Sequence, residues 1–268
     1  MATKNWKTST VVNYMTGYLY GMSLANNGTD ATNDIDIAVG KCVDSTGVRV
    51  LSGGALTKQL DAAWAAGNAA GGRLSAAAIT NTTYHVFAIL KDSDNSVDYG
   101  FDVSPTAPTM PVGYTYFRRI GSVLRESAAL VSFRQIGDKF IRDVRSAEIS
   151  AANPGTAAVT AVLRVPTGLI VEAIVYAQVL DITPAASTAL LMTALAQTDT
   201  DPSGGAGVGQ LFLAGGATKA TIIDCVGAEA TVFTDTAASI RYRLSASNAD
   251  ISVYIHTRGW IDTRGRQG

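Results

Sequence analysis

Four side chains, His85, His256, Cys42 and Cys225, are the only histidines and cysteines in 268 residues. These types most often move protons or attack carbon near neutral pH. Each histidine falls inside an alternating, strand-like stretch, and the two lie far apart in the chain. No G-x-S-x-G elbow and no H-E-x-x-H pair is present. Neither cysteine belongs to a C-x-x-C pair, so a zinc set built from Cys and His lacks its ligands, and two free thiols are expected.

Carboxylates are the remaining source of acid–base chemistry. Eighteen of the 22 acids are Asp, and most sit in turn-like stretches, where Asp is favoured for bonding its own backbone. The glutamates are Glu126, Glu148, Glu172 and Glu229. Glycoside hydrolysis needs two carboxylates at a fixed separation, and a pair formed across a subunit interface stays open from sequence. Asp92, Asp94, Ser96 and Asp98 resemble the start of a calcium loop, but Val97 stands where the glycine belongs and Val103 where the closing glutamate belongs. Gly204 and Gly209 have phosphate-loop spacing, with Gln210 in place of the lysine. A solvated turn and a surface loop are the readings of these two segments. No catalytic residue, cofactor or metal is expected.

The elements that hold these residues read mainly as strands. In NDIDIAVG, Ile35, Ile37 and Val39 point one way and Asp34 and Asp36 the other, the period of a half-buried strand. KCVDSTGVRVL places Asp44–Gly47 between two apolar runs and predicts a hairpin. TYHVFAILK is apolar on both faces, as a strand inside a sandwich or at a subunit contact is, and a second hairpin turns at Asp92. LTKQLDAAWAAG sets Leu56, Leu60, Ala63, Trp64 and Ala66 at helical spacing with Gly67 as a stop, which predicts one short helix with Trp64 as its core anchor. Pro105, Pro108 and Pro111 force an extended loop. YTYFRRIGSVLR, SAALVSFRQI and DKFIRDV predict three further strands. Beyond residue 160, LIVEAIVYAQVL, ALLMTALAQ, IRYRLSASN and DISVYIHTRGWI continue the strand pattern.

The expectation is a mainly β chain. It comprises an arm over 1–16, a β-rich domain over 17–146 holding the helix, a linker over 147–160 around Asn153-Pro154-Gly155, and a β-sandwich over 161–268. Both domains are expected to be sandwich-like.

Bulk properties bound the partners. The formal net charge is -1, and charged residues make up 16%, below the roughly 25% usual for globular domains. A pI of 6.1 gives no pull toward nucleic acid. A weakly charged surface suits a chain that buries itself against other copies. Residues 1–10 are polar, without the apolar core of an export signal. The run from Leu169 to Leu180 is broken by Glu172 and Gln178, so no membrane insertion is expected. Asn27-Gly28-Thr29 and Asn81-Thr82-Thr83 match the glycosylation pattern and are read as chance matches, Asn-Gly as a turn.

From Tyr18 to about Val144 the chain resembles a domain of bacteriophage and prophage tail-fibre-type proteins. The pieces that carry the resemblance are YLYGMSLANNGTDATNDIDIAVGKCVDSTG, KQLDAAWAAGNAAGG and TYHVFAILKDSDNSVDYGFDVSPTAPTMPVGYTYFRRIGSVLR. VYIHTRGWIDTRG is similar to closing strands in such proteins. The resemblance implies a virion component made in the host cytoplasm, a homotrimer that attaches to other virion proteins. It brings no catalytic residues. Tail fibre, spike collar and capsid-surface fibre are all compatible with it. A displayed second domain puts its loops toward a host glycan or protein, with Asp199, Asp201, Gln210 and Trp260 as candidate contacts. Tyr242 and Tyr254 are further aromatic candidates, Tyr242 lying on the apolar face of its strand. The alternatives are a capsid-decorating or head-fibre protein and a polysaccharide-cleaving tail spike.

Overall fold

A computed structural model describes residues 16–181, 188–202, 211–215 and 224–266. Every regular element among them is a strand, and none of them forms a helix that is long and apolar enough to cross a membrane. The chain divides into two compact units, one of residues 1–138 with 262–268 and the other of 139–261.

The first unit holds β1 (Leu19–Gly21), β2 (Leu24–Asn26), β3 (Asp34–Ile37), β4 (Gly40–Val43), β5 (Val50–Gly53), β6 (Leu56–Ala63), β7 (Ala70–Arg73), β8 (Thr83–Lys91), β9 (Val97–Asp102), β10 (Tyr114–Glu126), β11 (Ala129–Leu130) and β12 (Phe133–Ile136). Strands β1, β4 and β5 form a small sheet, and a larger one runs β11-β10-β8-β9-β7-β6-β3-β2. At the centre of the larger sheet, Thr83 to Leu90 of β8 are all buried. This is what its two apolar faces require. Phe87 stacks edge-to-face on Phe117 at 5.8 Å. Both expected hairpins form: β4 pairs β5 and β8 pairs β9, each antiparallel. The first turns on Asp44, whose buried carboxylate accepts the backbone N–H groups of Thr46, Val48 and Arg49.

The second unit holds β13 (Lys139–Ala152), β14 (Val159–Val162), β15 (Glu172–Asp181), β16 (Thr188–Ala194), β17 (Leu211–Gly215), β18 (Asp224–Phe233), β19 (Ser239–Leu244) and β20 (Ile251–Ile261). Strands β13-β20-β15-β18 lie side by side, as do β14-β19-β16-β17. Alternation fixes which faces are covered. Ile251, Val253 and Ile255 are buried while Ser252, Tyr254 and His256 are half-buried; Ile240, Tyr242 and Leu244 are buried while Arg241 and Arg243 are not. The segment 147–160, where composition suggests a linker, holds the end of β13 and the start of β14.

The expected helix over residues 56–66 does not form. Leu56–Ala63 instead form strand β6, paired antiparallel with β3 and parallel with β7. Leu56, Leu60 and Ala63 have helical spacing, yet the buried side chains of β6 are Lys58 and Leu60, two residues apart. Two sheet partners outweigh a helical preference of a few tenths of a kcal/mol per residue. The fully buried Lys58 Nζ lies 3.1 Å from Asp98 Oδ1. It also donates to the carbonyls of Ala65 (2.7 Å) and Gly67 (3.2 Å), plugging the loop that turns β6 into β7. Burial lowers the Lys58 pKa, and Asp98 opposes that shift. Asp98 also accepts Gly67 N–H at 2.8 Å and Tyr99 N–H at 2.6 Å. Gly67, expected as a helix stop, has φ +103° at the loop tip. Trp64 does anchor to the core, edge-to-face on Tyr114 at 5.1 Å and donating to the Tyr99 carbonyl at 3.0 Å.

Removing one partner of a buried ion pair strands the other charge, at a cost of about 3–5 kcal/mol. Lys58→Ala is therefore expected to lower unfolding stability by about that much in urea titration. The double variant Lys58→Ala/Asp98→Asn should recover part of the loss. A single variant as stable as the parent would show that the pair holds nothing.

Candidate functional site

Strands β8 and β10 bring together residue types that elsewhere make hydrolases. His85 and Ser122 face each other across the pair, with Nδ1 and Oγ 2.9 Å apart. Asp262 lies close by, but it binds Arg119 in a fork, at 2.6 and 2.8 Å. Arg119 also donates to Ser122 Oγ at 3.1 Å. His85 and Ser122 are fully buried and Asp262 is 4% exposed, so no substrate reaches the hydroxyl. In a nucleophile–base–acid relay the carboxylate holds the imidazole; here Asp262 is gripped in the fork of the Arg119 guanidinium, and the charge of His85 is a lesser influence on it. Burial alone would raise the Asp262 pKa; the hydrogen bonds and charge of Arg119 outweigh it, and the net shift is downward.

The sequence-derived contact residues scatter. Asp199 is exposed and bonded to Arg243 Nη1 at 2.8 Å, with exposed Asp201 4.0 Å from the same guanidinium. Gln210 lies outside the described residues. Trp260 is fully buried, stacked on Phe140 with ring centroids 5.3 Å apart and planes 4° apart. It is therefore a core residue and not a host contact: on β20 it falls where the strand's covered faces meet β13 and β15. Tyr242 is likewise core, and Tyr254 half-buried. The Asp92–Asp98 segment does not gather ligands, since Asp98 is spent on Lys58 and Asp94 turns to Ser96 at 2.6 Å. The described residues hold no group of three or more His, Cys, Asp or Glu placed to bind a metal.

A groove with room for a ligand lies elsewhere in the first unit. Registers Ala25↔Asp36 and Asp36↔Thr57 line up one residue from each of β2, β3 and β6 on a single face. Short side chains at Ser23, Ala38 and Ala55 leave an open groove of about 480 Å³ around that row. Its centre is Asp36, whose Oδ1 accepts Asn27 Nδ2 at 2.8 Å and Thr57 Oγ1 at 2.6 Å. Asn27 is itself fixed, its oxygen accepting the N–H groups of Thr29 (2.8 Å) and Asp30 (3.0 Å). This is the Asn-Gly turn expected from sequence, doing a second job. On the far side, Asn68 accepts Thr57 N–H at 2.8 Å through its oxygen, which leaves its amide nitrogen able to donate.

The field at this face is negative. Asp34, one strand step from Asp36, has its pKa raised by burial first and then by the charges of Asp30, Asp61 and Asp36, against one hydrogen bond from Gln59. Sequence reading placed Asp34 and Asp36 on the polar side of their strand but did not single them out. The signal was there: Asp is depleted in strands, and two of them at i, i+2 in a four-residue strand call for a reason.

No protein-family model matches the chain, and no curated protein matches it.

Two outcomes are expected. Cys42 is buried, and burial pushes its thiol up to about 12, whereas Cys225 is exposed. Iodoacetamide at mildly alkaline pH should alkylate Cys225 and spare Cys42 until denaturant is added, as read by peptide mass spectrometry; prompt alkylation of Cys42 in the folded protein contradicts the burial. A carboxyl whose folded pKa is raised is favourable only below its unfolded pKa, and its contribution is lost as pH rises through the folded value. Asp34→Asn should therefore raise the melting temperature at neutral pH, with the gain shrinking as pH falls into the acid range. A variant that melts lower at neutral pH argues that the Asp34 charge supports the fold.

Proposed function

We propose that the chain is a structural component of a tailed-phage virion, within a tail fibre or similar adsorption appendage. In this reading it is built of two sandwich-like modules, assembles as a homotrimer, attaches to other virion proteins and meets the host surface. The observation that carries the reading is where its buried ionisable groups are spent: Lys58 on Asp98, Arg119 on Asp262 and Arg264 on Asp138, each pair tying strands or chain segments together. A scaffold uses charge in this way, whereas a reaction centre leaves such groups facing a cleft.

Two further features support it. The pieces that carry the tail-fibre resemblance supply strands of one sheet, with Asn33–Ile37 leading into β3, Tyr84–Phe87 in β8 and Arg118–Gly121 in β10, the last two side by side. Large apolar side chains are exposed on both units, among them Tyr20, Val39, Val144 and Ile170. Apolar surface of this kind is covered when copies associate.

The test has two arms. Peptides of this chain should be found by mass spectrometry in density-purified particles, and labelled antibody should decorate the tail. Absence from particles overturns the virion role, and label confined to the head moves the protein to the capsid surface. Light scattering should give three times the 27.9 kDa chain mass. A monomer at micromolar concentration overturns the trimer, and release of reducing sugar from host capsule overturns the non-enzymatic reading.

A further inference from the structure

We infer that the groove across β2, β3 and β6 is a binding site for an uncharged saccharide, recognised through its hydroxyl groups. The inference rests on the host-surface part of the proposed function and names the ligand class and the residues.

The size is appropriate, since about 480 Å³ falls in the range of ~300–1,000 Å³ common for small-ligand sites. The chemistry selects the ligand further. At the centre stands one carboxylate, held by Asn27 and Thr57 through Oδ1; its Oδ2 has no hydrogen-bond partner among the described residues. A carboxylate oxygen is a strong acceptor for ligand O–H groups. The Asn68 amide nitrogen supplies a donor on the β6 side, and Ser23, exposed on the β2 side, supplies a hydroxyl that gives and accepts. Acceptor, donor and hydroxyl arranged around a row of small side chains suit a polyol, whose neighbouring hydroxyls both give and take hydrogen bonds. Ala25, Ala38 and Ala55 provide an aliphatic shelf for the C–H face of a sugar ring.

Charge narrows the class. Beside the groove's Asp36, the Asp34 carboxyl has its pKa raised by burial first and then by the charges of Asp30, Asp61 and Asp36. Uronic acids, sialic acids and phosphorylated sugars meet that field as like charges and are disfavoured. A peptide is disfavoured because the groove has no deep apolar pocket to take an anchor side chain. The site is prepared before the ligand arrives, since Asn27, Thr57 and Asn68 are each bonded to backbone or to Asp36. That lowers the ordering cost of binding.

The full chain, its fold checked by circular dichroism and melting temperature, would be put on an array of neutral, uronic-acid-bearing and phosphorylated bacterial glycans. Neutral glycans should bind and acidic ones should not. Asp36→Asn and Asn68→Ala should each weaken binding about 10- to 100-fold, the scale for losing a hydrogen bond at a charged or prepared site. Ala55→Phe, at an exposed position, fills the groove from outside and should abolish binding with the fold intact. Lys139→Gln, at an exposed position in the other unit, should leave binding unchanged. Retained neutral-glycan binding in Asp36→Asn and Ala55→Phe would overturn the groove while leaving host adsorption standing. No neutral-glycan binding by a parent chain that is present on particles overturns the saccharide and leaves the virion role intact. Calcium binding in calorimetry that vanishes in Asp36→Asn, with no glycan bound, would replace the saccharide with a cation.

Discussion

The Lys58 ammonium is enclosed by Asp98 and by the carbonyls of Ala65 and Gly67, and much of the first unit follows from that enclosure. A buried charge without a partner costs several kcal/mol, so the side chain fixes which way β6 faces. With Lys58 and Leu60 inward, Thr57 faces outward and joins Asp36 across the register. The loop closed over the ammonium carries Asn68 back to Thr57. One interior ion pair thus shapes the far wall of an exterior groove.

A second set of buried charges gathers residues 262–266 into the first unit. Asp262 takes the fork of Arg119, and Asp138 takes both Arg264 and Arg266. Arg118, only 7% exposed, donates to the carbonyls of Thr16, Arg264 and Gly265. Burial lowers the pKa of both Arg118 and Arg264, yet a guanidinium stays charged because its ordinary value is so high. Arginine is suited to this work: its planar fork satisfies several acceptors at once with little loss of freedom per bond. His85 and Ser122 lie beside the same cluster, where Arg119 donates to Ser122 Oγ and holds the Asp262 carboxylate in its fork.

The contrast between interior and groove is one of access. Inside, Asp44, Asp98 and Asp262 each take several donors and serve geometry. At the groove, Asp36 keeps an oxygen free on a face built from alanine, serine and threonine, where nothing large shields it. The same residue type serves scaffold or recognition according to which side of a strand carries it.

The sequence by itself determined the strand character and the facing of its most regular stretches. Ile35 and Ile37, Ile251, Val253 and Ile255, and Ile240, Tyr242 and Leu244 are buried as a period of two demands, and the Asp44 and Asp92 turns make the expected hairpins. Alternation is local, so it can be read without knowing the neighbours. Tertiary structure decided what depends on partners distant in the chain. Residues 56–63 became strand because β3, β7 and Asp98 meet them there, against their helical spacing. Trp260 went to the core because Phe140, 120 residues earlier in the chain, stacks on it. The groove exists because two registers align Ala25, Asp36 and Thr57 across three strands, and a register between strands is written in no one of them.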